Sequence, residues 1–155
     1  MRERAAILAR VAEFIGYPRR KVLAVFDTRQ AADAAARALE SAGMPEAAIE
    51  RFEGVSDADR FDSTGARHGI LTRAVRAVQF SLMDQLPALA WYEAALREGK
   101  SVLAIPTRDR ATTLRVVAAL DHAGGHFINR FGRLATEEFA RWRGPEPHVP
   151  NLMKH

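Results

Sequence analysis

The sequence predicts an α+β fold, and three observations carry that prediction. Residues 22–29 (VLAVFDTR) return about eighty positions later as residues 102–108 (VLAIPTR). Each copy runs on through a helical stretch to an Ala-Leu pair and an Ala-Gly stop, at Ala38-Leu39 and Ala42-Gly43, then at Ala119-Leu120 and Ala123-Gly124. Each is therefore a strand followed by a helix, a unit whose apolar face cannot be buried alone. The third observation is that both apolar strands carry apolar residues on both alternating sets, so they belong in the middle of a sheet covered on its two faces. Two βαβ halves joined in one chain fit a ferredoxin-like duplicated sandwich, a four-stranded antiparallel sheet with its two repeat helices on one face. A doubly wound parallel sheet is the alternative, weakened by the small number of strand–helix alternations.

Taken in chain order, residues 3–15 place Ile7, Leu8, Val11, Phe14 and Ile15 on one helical stripe, and Gly16, Tyr17 and Pro18 end it. Residues 21–53 form the first half. Its strand, 21–27, has Val22, Ala24 and Phe26 on one face and Leu23 and Val25 on the other. Asp27 reads as a helix N-cap with Gln30 at the capping-box position, opening an alanine-rich helix to about Ser41. A second, more polar strand follows around Ile49 and Phe52, and its polarity suggests a sheet edge.

Residues 54–99 switch to a helical period, with Ile70, Leu71, Ala74, Val75, Val78 and Leu82 on one stripe and Leu86, Leu89, Ala90 and Leu96 on another. This helical insert separates the halves. Residues 100–134 form the second half: a strand over 101–105, a helix over 109–123 broken by Gly124-Gly125, and a last strand over 126–131. Residues 135–155 read as a short helix over 136–142 followed by an extended tail, because three prolines forbid helix there. Val149, Leu152 and Met153 are its natural docking side chains. The open sheet face needs a cover from the insert, the N-terminal helix or a second copy.

At 155 residues the chain fits a single domain spanning 1–155 that buries a core without crosslinks. Cysteine is absent, which excludes thiol chemistry, disulfides and cysteine-ligated metal sites and favours a cytoplasmic location. The charged N-terminus does not read as a signal peptide, and no apolar run approaches a membrane span, so a soluble protein with no membrane partner is expected. The net charge of +4 and the pI near 10.1 come from 20 Arg against 3 Lys spread along the chain. Basicity of that size admits an anionic partner without specifying one.

These residues resemble bacterial general-stress-protein-like domains. The resemblance covers residues 21–134 and rests on Val25-Phe26-Asp27 leading into the alanine-rich helix, the Gly43-Met44-Pro45 turn, residues 92–99 (YEAALREG) before the second apolar strand, and Phe131-Gly132-Arg133 at the close of the last strand. It implies a small cytoplasmic stress-associated domain with no established catalysis. The N-terminal helix, the long insert and the tail depart from shorter members and are where this chain's own partner contacts are expected.

Candidate chemistry is sparse. Residues 62–69 (DSTGARHG) form a polar, glycine-bearing loop ahead of the insert helix, where Asp62, Arg67 and His68 would receive an anion or, equally, form a capped turn. Tyr92 and Glu93 are the side chains that would complete a ligand site if the insert folds back on that loop. The spacing lacks the lysine of a P-loop, and no nucleophile elbow, dinucleotide fingerprint or zinc-hydrolase motif is present. His122 and His126 stand four apart but flank Gly124-Gly125, which breaks a helical metal pair; no metal and no cofactor are expected. Arg73 and Arg76 form a basic side on the insert, and Arg130, Arg133, Arg141 and Arg143 cluster after the last strand, a pattern that holds phosphates without reading sequence.

The leading expectation is a non-catalytic, stress-associated binding or regulatory module that self-associates as a homo-oligomer through the sheet face or the helical insert. The alternative is an RNA- or ribosome-associated factor using the arginine clusters. A second alternative is a small-molecule enzyme using the 62–68 loop.

Overall fold

The computed structural model describes residues 20–58, 85–132 and 136–148. The predicted N-terminal helix, the first stripe of the insert, the 62–68 loop and the hydrophobic end of the tail lie outside these residues. The described chain is α+β: a five-stranded antiparallel sheet with four α-helices. Strand β1 (Lys21–Phe26) leads to helix α1 (Arg29–Ser41), a 3₁₀ turn (Glu46–Ala48) and β2 (Glu50–Glu53). Helices α2 (Gly54–Ala58) and α3 (Gln85–Arg97) precede β3 (Ser101–Pro106), α4 (Arg110–His122), β4 (His126–Phe131) and β5 (Thr136–Ala140).

The sheet order is β2-β3-β1-β4-β5. β1 lies between β3 and β4 and is antiparallel to both, while β3 is also antiparallel to β2. β1 and β2 are therefore parallel with β3 between them, and β3 and β4 are parallel with β1 between them. Each strand–helix–strand unit is split by a strand of the other. The polar strand predicted as an edge is one, and its side chains are tied inward by the Lys21–Glu50 and Arg51–Asp33 ion pairs.

The two alternating sets of β1 enter two separate cores. Val22, Ala24 and Phe26 pack with Ala32, Ala35 and Leu39 of α1 and with Val116 and Leu120 of α4. Leu23 and Val25 pack with Leu89, Tyr92, Ala95 and Leu96 of α3. The cover that the sequence demanded for the open face is thus the C-terminal helix of the insert, supplied by the same chain. α1 can be alanine-rich because its buried positions, Ala32, Ala35 and Ala36, let the helix backbone lie close on the sheet.

Two expectations are corrected. Residues 136–142 do not form a helix: residues 136–140 are β5, which pairs with β4 from Phe131↔Thr136 to Ile128↔Ala140 and adds a fifth strand. The local sequence favours helix, but β4 would otherwise expose a row of unpaired backbone groups, and Phe139 and Ala140 pack on the α1/α4 core from the strand. The N-cap of α1 is Thr28, whose Oγ1 accepts from Ala31 N at 3.1 Å, not Asp27. Asp27 is directed elsewhere.

Among the described residues no helix is long and apolar enough to cross a membrane.

Candidate functional site

Antiparallel pairing brings the end of β1 beside the starts of β3 and β4, with Phe26 opposite Ser101 and Val25 opposite His126. The charged residues flanking those ends, Asp27, Lys100 and His126, therefore meet at one corner of the sheet. Asp27 Oδ1 accepts from Lys100 Nζ at 2.9 Å and from His126 Nε2 at 2.8 Å. His126 Nδ1 accepts from the backbone N–H of Arg143 at 3.1 Å, which puts the ring proton on Nε2, facing the carboxylate. The carboxylate is 57% exposed while the imidazole is 2% exposed. Partial burial works against ionisation of Asp27, but the hydrogen bonds from Lys100 and His126 and the Lys100 charge outweigh it and hold the carboxyl below its ordinary range.

This corner is built on a distorted strand. Between the pairs Leu23↔Asn129 and Val25↔His126, β1 spends one residue and β4 spends two, a β-bulge at Phe127 and Ile128. Phe127 adopts φ +47°, a left-handed conformation that costs a non-glycine residue on the order of 1–3 kcal/mol. A buried polar network stabilises it. Tyr92 Oη donates to Phe127 O at 2.7 Å, with Leu23 O at 3.1 Å as a second acceptor, and receives Asn129 Nδ2 at 3.0 Å. Asn129 Nδ2 also reaches Phe127 O at 3.3 Å. Phe127 N donates to Arg141 O at 2.9 Å. Burial pushes the Tyr92 phenol far above its ordinary range, against the smaller opposing effect of Asn129.

The segment after β5 closes over the same corner. Trp142 meets His126 edge-on at 4.8 Å and Trp91 at 5.5 Å, and Lys100 Nζ lies 5.9 Å from its ring centroid. Its indole N–H donates to Pro145 O at 2.9 Å. Arg143 donates to Gly125 O, and His148 N donates to Glu98 Oε1 at 3.0 Å, tying the tail to the end of the insert helix. Gly125 has no room for a side chain: a Cβ there would lie 2.8 Å from Leu120 O and 3.0 Å from the Phe26 ring.

Of the residues singled out from sequence, Asp62, Arg67, His68, Arg73, Arg76 and Arg133 lie outside the described residues. Tyr92 is corrected from a ligand contact to a core residue, since its ring is fully buried and its hydroxyl is engaged by three groups. Glu93 is half-buried and pairs with Arg97. Arg130 does not join Arg141 and Arg143. It is held at the other end of β4 by Thr107, and the intervening residues separate these arginines by on the order of 10 Å. Among the described residues, the Arg141 side chain pairs with Glu138, at 3.4 Å.

Sequence reasoning missed Asp27, Lys100, His126 and Trp142 as a group. One signal was present: Lys100 is one of 3 lysines against 20 arginines, placed directly before an apolar strand, while Asp27 directly follows one strand and His126 opens another.

Comparison with known proteins gives no match, whether to protein-family profiles, to curated proteins or to solved structures. The resemblance to general-stress-protein-like domains therefore rests on the sequence motifs alone.

Proposed function

We propose that the chain is a non-catalytic binding or regulatory module built on a ferredoxin-like duplicated core, and that it self-associates through the corner where the insert, the tail and Asp27 meet. The observation that carries this reading is the state of the Asp27–His126 pair. A proton relay needs a ring nitrogen free to exchange with a substrate, whereas both nitrogens of His126 are bonded, one to Asp27 and one to the Arg143 backbone. What reaches solvent is an ionised carboxylate fixed in place beside an ammonium and an indole. That is a preorganised contact point rather than an acid–base pair.

The geometry also supports the expectation that insert and tail act together, because Glu98 binds the tail and Lys100 lies near Trp142. Self-association through the central sheet face loses support, since α3 covers that face. The stress-associated character of the module follows the resemblance of residues 21–134 to general-stress-protein-like domains.

The test is size-exclusion chromatography with light scattering, at several protein concentrations, with and without nuclease and in low and high salt. The expected mass is at least twice 17.2 kDa, unaffected by nuclease. A mass of one chain at every concentration refutes self-association. A nuclease-sensitive, salt-sensitive excess of ultraviolet absorbance moves the assignment to an RNA- or ribosome-associated factor.

A further inference from the structure

We propose that the cavity at the opposite end of the sheet from Asp27 binds a small phosphorylated molecule, held by Arg108, Arg110 and Arg130. These three side chains line a cavity of about 240 Å³ together with Asp109, Thr113 and Glu137. The site lies where β3 ends and α4 begins, and β4 runs past it.

The three guanidinium groups are in different states of commitment. Arg130 is clamped by Thr107, with Nε donating to Oγ1 and Nη2 to the backbone O, each at 3.0 Å. That fixes its plane while leaving Nη1 without an acceptor among the described residues. Arg110 directs Nη1 at both oxygens of Glu137, at 2.6 and 2.8 Å, and lies 5.4 Å from the Phe139 ring centroid. Its Nε and Nη2 have no acceptor among the described residues. Arg108 is exposed and has no partner among them.

The carboxylates do not balance this charge. Asp109 is occupied as the N-cap of α4, accepting from Thr112 N at 2.7 Å and from Thr112 Oγ1 at 3.0 Å. The helix start is thus already satisfied, and the site rests on the arginine side chains. Three guanidinium groups then face two carboxylates, Asp109 and Glu137, across a concave space, which leaves an excess of one positive charge. An arginine fork donates two parallel N–H groups to a planar or tetrahedral oxyanion, so two or three of them around one cavity fit the dianionic head of a phosphate monoester. The volume admits that head with a short organic remainder. A polynucleotide fits less well, because Glu137 lines the cavity from β5 and Arg141 and Arg143 sit at the other end of the strand.

The experiment is a titration of the ¹⁵N-labelled full chain with inorganic phosphate and with methyl phosphate at constant ionic strength, following the arginine Nε–H signals and the amides around the start of α4. Saturable shifts are expected, with methyl phosphate at least as tight as inorganic phosphate. Arg108→Ala, which removes a side chain with no structural partner, should weaken binding about tenfold, and Glu137→Gln should tighten it several-fold. Arg110→Ala gives a second loss should the first be masked by its neighbours. Shifts that stay linear through millimolar phosphate, or saturation that neither arginine substitution changes, would overturn the assignment. So would tighter binding of a single-stranded RNA oligonucleotide that Arg141→Ala with Arg143→Ala abolishes. The phosphate outcomes do not bear on self-association at the Asp27 corner.

Discussion

Replacing Tyr92 by Phe removes one oxygen from the core and tests what holds the β4 bulge. The phenol donates to Phe127 O at 2.7 Å, approaches Leu23 O at 3.1 Å and accepts from Asn129 Nδ2 at 3.0 Å, all in a buried site. A net buried hydrogen bond contributes about 1 kcal/mol, and leaving its partners short of one another adds about 1 kcal/mol more, so Tyr92→Phe should destabilise the fold by about 2 kcal/mol. For a chain of this size that corresponds to a fall in Tm of about 4–8 °C. Urea unfolding should show a lower midpoint with an unchanged slope. Combining the substitution with Asn129→Ala should recover a coupling of about 1 kcal/mol, since the two side chains share one network.

The same residue gives a spectroscopic test with a defined sign. The folded-state pKa of Tyr92 is raised above its unfolded value of about 10, so the stability it confers is complete below that pH and is lost as pH rises through the folded value. In a Tyr17→Phe background, the remaining phenol should show no tyrosinate absorbance until the protein unfolds at alkaline pH. A Tyr92→Phe cost below about 0.5 kcal/mol, or a phenol that titrates near pH 10 in the folded protein, would refute the network as the support of the bulge.

Acidification should probe the Asp27 corner. The Asp27 carboxyl is depressed below 3.8, so its contribution is present above that pH and is lost as pH falls through the folded value; Asp27→Asn should remove that part of the acid dependence of the unfolding midpoint. Gly125→Ala forces a Cβ to within 2.8 Å of the fixed Leu120 carbonyl and should cost about 1–3 kcal/mol in thermal or urea unfolding. Thr28→Ala should cost about 1 kcal/mol by removing the α1 cap, whereas no measurable loss in Thr28→Ala would show that Thr28 does not cap α1.

Much of the fold is legible because it follows from alternation and punctuation. The two apolar sets of β1 and β3 require cover on both faces, and that requirement anticipated a cover over Leu23 and Val25 without choosing between the insert, the N-terminal helix and a second copy; α3 lies there. The glycines at 43 and 124 stop α1 and α4 because both hold positive φ. β5 was not legible, since Glu137, Glu138 and Ala140 are helix-compatible and the deciding influence is the free edge of β4, to which β5 pairs. The Asp27 corner was hidden for a different reason. Asp27-Thr28 offers two adjacent capping side chains, and what assigns each one is a pair of partners 73 and 99 residues away in sequence. Phe127 likewise looks like an ordinary strand residue until the register shows the extra residue in β4.

The most direct test of the account is sedimentation equilibrium on the unmodified chain and on Asp27→Asn. The substitution keeps the shape and the hydrogen-bond acceptor of an exposed side chain while removing its charge. The unmodified chain should self-associate, with a dissociation constant that rises about tenfold or more in the variant while folded spectra are retained. An unmodified chain that self-associates with the same constant as Asp27→Asn would contradict it, because the fixed carboxylate would then play no part in recognition.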